Sequence, residues 1–142
     1  MDYETISAEA FGAGLTGFGV NLLVRDVVAE VAFLRDVFGI VAHRVSADFA
    51  ILAYHGHVLQ LHSDGTYHSN PLPSLLPEAG ARGGGIELRL FHTDPDEAVK
   101  KARAAGAMIL AEAENKPHGL REAYILDDNG YAWVPSRPTD DE

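Results

Sequence analysis

The sequence predicts an α+β fold of two tandem βαβββ modules, forming a cupped mixed sheet with its helices outside. Three observations predict it. One order of elements (strand, helix, three strands) occurs twice along the chain. Both helices carry their own cap and stop, and both closing hairpins turn at a glycine. Every element has one apolar face, and such faces are buried most economically when a helix covers one side of a sheet.

Module one covers about residues 17–63. "FGVNLLVRD", residues 18–26, reads as a strand with Val20, Leu22 and Val24 on one face. In "VVAEVAFLRDVFG", Val27, Val31, Leu34 and Phe38 fall on one helical stripe. Asp26 supplies the N-cap, and Gly39 stands where a helix end requires positive φ. Strands at Ile40–Val45, Phe49–Tyr54 and His57–His62 follow, with Gly56 turning the last pair.

Module two covers about residues 84–137, beyond a connecting loop at 64–83. "GIELRLFHTD" gives a strand with Ile86, Leu88 and Leu90 on one face. "PDEAVKKARAAGA" gives a helix with Asp94 as cap, Pro95 at its first position and Gly106 as stop. Strands at Met108–Ala113, Leu120–Leu126 and Tyr131–Val134 complete the copy, again with a glycine turn, Gly130. Asp26 and Asp94, Val31 and Val99, and Arg35 and Arg103 share one spacing. Ile51 and Ile125, and Gly56 and Gly130, share a second. At 142 residues the chain is expected to form a single domain, 1–142. The Pro- and Gly-rich loop between the modules fits a lid, a dimer arm or a plain connector. "GARGGG", residues 80–85, reads as a hinge.

Composition removes several classes of function. The net charge of −10 opposes binding to nucleic acid and to anionic membranes. Without cysteine there is no disulfide framework, no thiolate nucleophile and no sulfur-ligated zinc. No apolar run approaches the roughly 20 residues of a membrane span. The acidic N-terminus does not read as a signal peptide. A cytoplasmic protein is expected.

Strand alternation selects the residues of the inner wall. These are Gly19, Asn21 and Leu23; Val58, Gln60 and His62; Glu87, Arg89 and Phe91; and Ala132 and Val134. A mixed polar and apolar wall suits a small organic ligand. The candidate binding residues are Asn21, Gln60, His62, Glu87, Arg89, Phe91 and Tyr124. Glu87 and Arg89, two apart on one strand, face the same way. They form either a plain salt bridge or a pair in which Arg89 holds an anionic or carbonyl group. Burial of Glu87 would raise its pKa and make it the best candidate for a general base. Phe91 and Tyr124 suit stacking on a flat ligand or packing in the core. The histidines of "HGHVLQLH" do not converge: His57 and His62 point to opposite faces, and His55 lies across the Gly56 turn. His43 and His92 read as structural or surface residues, and His118 as the same or as a lid contact.

The tandem repeat resembles the vicinal-oxygen-chelate superfamily of glyoxalase I, bleomycin resistance proteins and extradiol dioxygenases. "NLLVRDVVAEVAFLRDVFGI", "HTDPDEAVKKARAAGA" and "KPHGLREAYILDDNGYAWVPSRP" carry the resemblance, over roughly residues 17–137. It implies that metal ligands, where present, would stand at Gly19, Gln60, Glu87 and Val134. Glycine and valine have no donor atom there. The expectation is therefore no metal and no cofactor. The resemblance implies a homodimer that binds or sequesters a small organic ligand in the cup. The alternative is a metal-dependent glyoxalase-type lyase, isomerase or dioxygenase. It would use Glu87 with a reduced or displaced site, for example on Glu87, Gln60 and His62. A third expectation is a scaffold or regulatory subunit whose cup is filled by its own side chains.

Overall fold

A computed structural model of the chain describes residues 2–65 and 71–139. Part of the connecting loop, residues 66–70, lies outside the described residues, and so does the lid or dimer-arm expectation for it. The α+β class and the repeated βαβββ order are those the sequence predicts. Hydrogen bonding divides the strands into two four-stranded mixed sheets. The chain forms two compact units, residues 1–35 with 39–73 and residues 36–38 with 74–142. Among the described residues no helix is long and apolar enough to cross a membrane.

Unit 1 contains helix α1 (Ala8–Gly14), strand β1 (Asn21–Val24), most of helix α2 (Val27–Phe38), and strands β2 (Val41–His43), β3 (Phe49–Tyr54) and β4 (His57–Ser63). The sheet order is β1-β4-β3-β2, with β1 and β4 parallel and the other pairs antiparallel. Asp26 caps α2 by accepting the Ala29 N–H at 3.0 Å, and Gly39 ends it at φ 74°. Val27, Val31 and Leu34 of α2 are buried, as are Leu22, Val24, Ala50, Leu52 and Leu61 of the sheet. His55 (φ 47°) and Gly56 (φ 81°) form the two-residue hairpin turn, in which both positions need positive φ.

Helix α1 was not expected from the sequence. Ser7 is its N-cap and accepts the Ala10 N–H at 3.1 Å, while Phe11 is buried. The segment before it is strapped to the end of β2. The Glu4 carboxylate accepts the Arg44 backbone N–H at 3.0 Å and lies 3.4 Å from His43 Nδ1. Tyr3 meets both Phe11, edge-on at 5.8 Å, and His43, at 5.5 Å.

Unit 2 contains strand β5 (Glu87–Leu90), helix α3 (Pro95–Ala104), and strands β6 (Met108–Asn115), β7 (Leu120–Leu126) and β8 (Ala132–Pro138), in sheet order β5-β8-β7-β6. Buried Ala98, Val99 and Ala102 of α3 lie over β6, β7 and β8. Arg121 grips Asp96 in the first turn of α3 with two nitrogens, at 2.8 and 2.9 Å. Strand β8 runs past Val134, where the sequence placed its end. Pro135 and Pro138 lack an N–H, but their neighbour Ser136 still accepts the Thr93 N–H through its carbonyl at 2.9 Å. Ile86, expected on the apolar face, precedes the strand and is exposed.

The β7–β8 loop is organised by one carboxylate. Buried Asp127 accepts the backbone N–H groups of Asn129 (2.9 Å) and Tyr131 (3.0 Å) on one oxygen, and Trp133 Nε1–H (2.9 Å) on the other. "GARGGG" docks on this loop rather than acting as a free hinge. Arg82 N–H donates to the Asn129 carbonyl at 2.8 Å. A Cβ on Gly130 would stand 2.4 Å from Ala81 Cα, so only glycine fits there. Asp127→Ala leaves these donors unsatisfied and is expected to lower the unfolding free energy by about 2–4 kcal/mol in urea denaturation. A loss under about 0.5 kcal/mol would show that the loop does not depend on this carboxylate.

Candidate functional site

The sheet face of unit 2 that carries Glu87 holds a connected polar cluster. Register places Glu87 opposite Ala132 and Arg89 opposite Val134 on β8, and Glu122 opposite Ser136. Arg89 donates to Glu87 Oε1 at 2.8 Å and, through its other terminal nitrogen, to Glu122. Tyr124 Oη donates to Glu87 Oε2 at 2.9 Å. The Arg89 guanidinium also sits 5.5 Å from the centre of the half-exposed Phe91 ring. His118 Nε2 lies 3.7 Å from Glu122. Glu87, Arg89, Phe91 and Tyr124, all selected from the sequence, thus meet on one face.

Electrostatics there run against the expected general base. The Glu87 side chain is 45% exposed. The hydrogen bond from Arg89, and then that from Tyr124, hold its carboxyl below the usual glutamate range. The bond to Glu87, with burial second, raises the Tyr124 hydroxyl above its ordinary value. Burial opposes the charge on Arg89, but its bonds to Glu122 and Glu87 outweigh that and strengthen its hold on the proton. Both terminal nitrogens of the guanidinium are occupied by carboxylates, so in this structure the pair takes the salt-bridge form, the first of the two readings the sequence offered.

The corresponding face of unit 1 is mostly apolar. Asn21 pairs with Gln60 and Leu23 with His62, while Phe49 and Ile51 stand opposite His62 and Gln60 on the other side. His62 is buried, its ring centre 5.1 Å from that of Phe49. Burial lowers its pKa, so the neutral ring is favoured. Its contribution to stability is complete above the ordinary histidine range and is lost as pH falls through the lowered value. A pocket of about 440 Å³ lies between this face and α1. The third polar residue, Asn21, is exposed at the sheet edge.

Residues 18–134 match the family model described as Glyoxalase/Bleomycin resistance protein/Dioxygenase superfamily. The chain belongs to this superfamily. Among solved structures, it resembles a glyoxalase/bleomycin resistance protein/dioxygenase family enzyme from Burkholderia phytofirmans PsJN, with 24% identity and a TM-score of 0.69, over 85% of this chain and 97% of that one. It also resembles TioX from Micromonospora sp. ML1, with 24% identity and a TM-score of 0.63, over 87% and 99%. A glyoxalase-related enzyme from Fulvimarina pelagi has 20% identity and a TM-score of 0.67, over 86% and 87%. At these identities the likeness is one of fold. No curated protein matches the chain.

Of the four positions where the resemblance would place metal ligands, Gly19, Gln60, Glu87 and Val134, two have side chains without a donor and a third is already engaged. Gly19 and Val134 have no donor, and Val134 is fully buried. Both Glu87 oxygens are engaged by Arg89 and Tyr124. Among the described residues no three His, Asp or Glu side chains are placed to hold an ion.

Sequence inspection missed Glu122, the buried partner of Arg89. The signal was present, since Glu122 lies two residues before Tyr124 on one strand and so shares its face. The repeat alignment also needs adjustment at this strand. Ile51 faces Gln60, but the residue that faces Val134 is Tyr124 by register, not Ile125. Arg89→Gln is expected to raise the Glu87 pKa towards the ordinary range, as followed by carboxyl NMR titration. It should also cost about 3 kcal/mol by leaving Glu122 buried without its cation. The Glu87 contribution to stability is complete above the ordinary glutamate range and is lost as pH falls through the folded value. An unchanged Glu87 titration in the variant would show that Arg89 does not control it.

Proposed function

We propose that this superfamily member is a metal-free small-molecule-binding protein. It takes up or sequesters an organic ligand on the inner sheet faces that carry Asn21, Gln60, His62, Glu87, Arg89, Phe91 and Tyr124. The observation that carries this is the chemistry of the ligand points: two lack donors, and the one carboxylate is spent on Arg89 and Tyr124. The mixture of apolar wall and few polar groups around the unit 1 pocket supports the same reading. The proposal takes the protein to act in the cytoplasm as a homodimer, and the absence of cysteine agrees with a reducing compartment. An enzymatic role through Glu87 as base is disfavoured because the ion pair lowers its basicity.

Elemental analysis of protein purified without chelator tests the proposal. The expected result is far less than one equivalent of any divalent transition metal. A stoichiometric metal that survives gel filtration would overturn it.

A further inference from the structure

Within unit 1, the pocket between α1 and the sheet combines an apolar body with one cation. Phe11 and Leu15 wall it from the helix side, Phe49 and Ile51 from the sheet side. Gln60 and buried His62 lie in its sheet wall, and Arg44 borders it. Its volume of about 440 Å³ suits a ligand built around one aromatic ring or a short alkyl chain.

Arg44 differs from four arginines of unit 2. Arg89, Arg103, Arg121 and Arg137 each face a carboxylate. The Arg44 Nε–H donates to the Glu4 backbone carbonyl at 3.2 Å, and the Glu4 carboxylate instead takes the Arg44 backbone N–H. Among the described residues no carboxylate forms an ion pair with the Arg44 guanidinium. Bonding through Nε also fixes the plane of the guanidinium and leaves its two terminal nitrogens as a fork. A carboxylate fits such a fork with two parallel hydrogen bonds, and a partly desolvated setting strengthens them.

We propose that this pocket binds a small organic acid. The apolar part lies among Phe11, Leu15, Phe49 and Ile51, and the carboxylate pairs with Arg44. This deepens the proposed function by naming a ligand class, and it rests on that reading. It also assigns the anion to Arg44, not to Arg89, whose charge is already met by two carboxylates.

The test uses 4-phenylbutyrate and its uncharged amide as matched probes in isothermal titration calorimetry on the full chain. The acid is expected to bind about tenfold or more tightly than the amide. Arg44→Gln should remove that advantage while leaving amide affinity unchanged, which shows the apolar pocket intact. Arg44→Lys, which keeps the charge, should retain part of the preference. Equal affinity for acid and amide, full acid affinity in Arg44→Gln, or no acid binding at about millimolar concentration overturns the proposal. None of these outcomes alters the metal content, so this inference and the broader reading fail separately.

Discussion

In each unit the first strand and the last lie side by side in parallel, and that pairing determines what every other side chain can do. Asn21 is set opposite Gln60 in unit 1, and Arg89 opposite Val134 in unit 2. A parallel pair requires a crossover, which α2 and α3 provide. The crossover helices carry buried apolar residues, and so do the alternate positions of the strands. The remaining strand positions are thereby gathered on the opposite face, where polar chemistry can collect. A shift of one residue in either pairing would exchange the two sets.

The two copies use that face differently. Unit 2 fills it with charge: Arg89 bridges Glu87 and Glu122, and Tyr124 closes the network. Such a cluster is internally satisfied, and it depresses rather than raises the pKa of its exposed carboxylate. Unit 1 keeps the face largely apolar and sets α1 beside it, with Phe11 buried. The duplicated scaffold is one, but the corresponding sheet faces of its two units offer different chemistry. This is why superfamily membership fixes the architecture here and leaves the chemistry to individual side chains.

Most of the architecture was legible because its signals are local. Asp26 and Asp94 cap their helices as their positions suggested, and period-two alternation assigned the faces of β4 and β5. What escaped depends on contacts distant in sequence. Helix α1 is seven residues long, and no periodicity is visible in so short a segment; only Ser7 ahead of "AEA" announced it. The importance of Glu122 follows from a partner 33 residues away, and that of Arg44 from Glu4, 40 residues away. The sequence reading ended the last strand at Val134, yet β8 continues to Pro138, because the Ser136 carbonyl accepts the Thr93 N–H even though Pro135 beside it has no N–H to donate.

The central claim is that the inner faces bind a small molecule through side chains alone. It is tested most directly by ligand-induced thermal shifts over a chemically broad library, measured before and after exhaustive treatment with EDTA. The account predicts ligands that raise the melting temperature equally in both conditions. A stabilisation that disappears on chelation and returns with added divalent metal would contradict it.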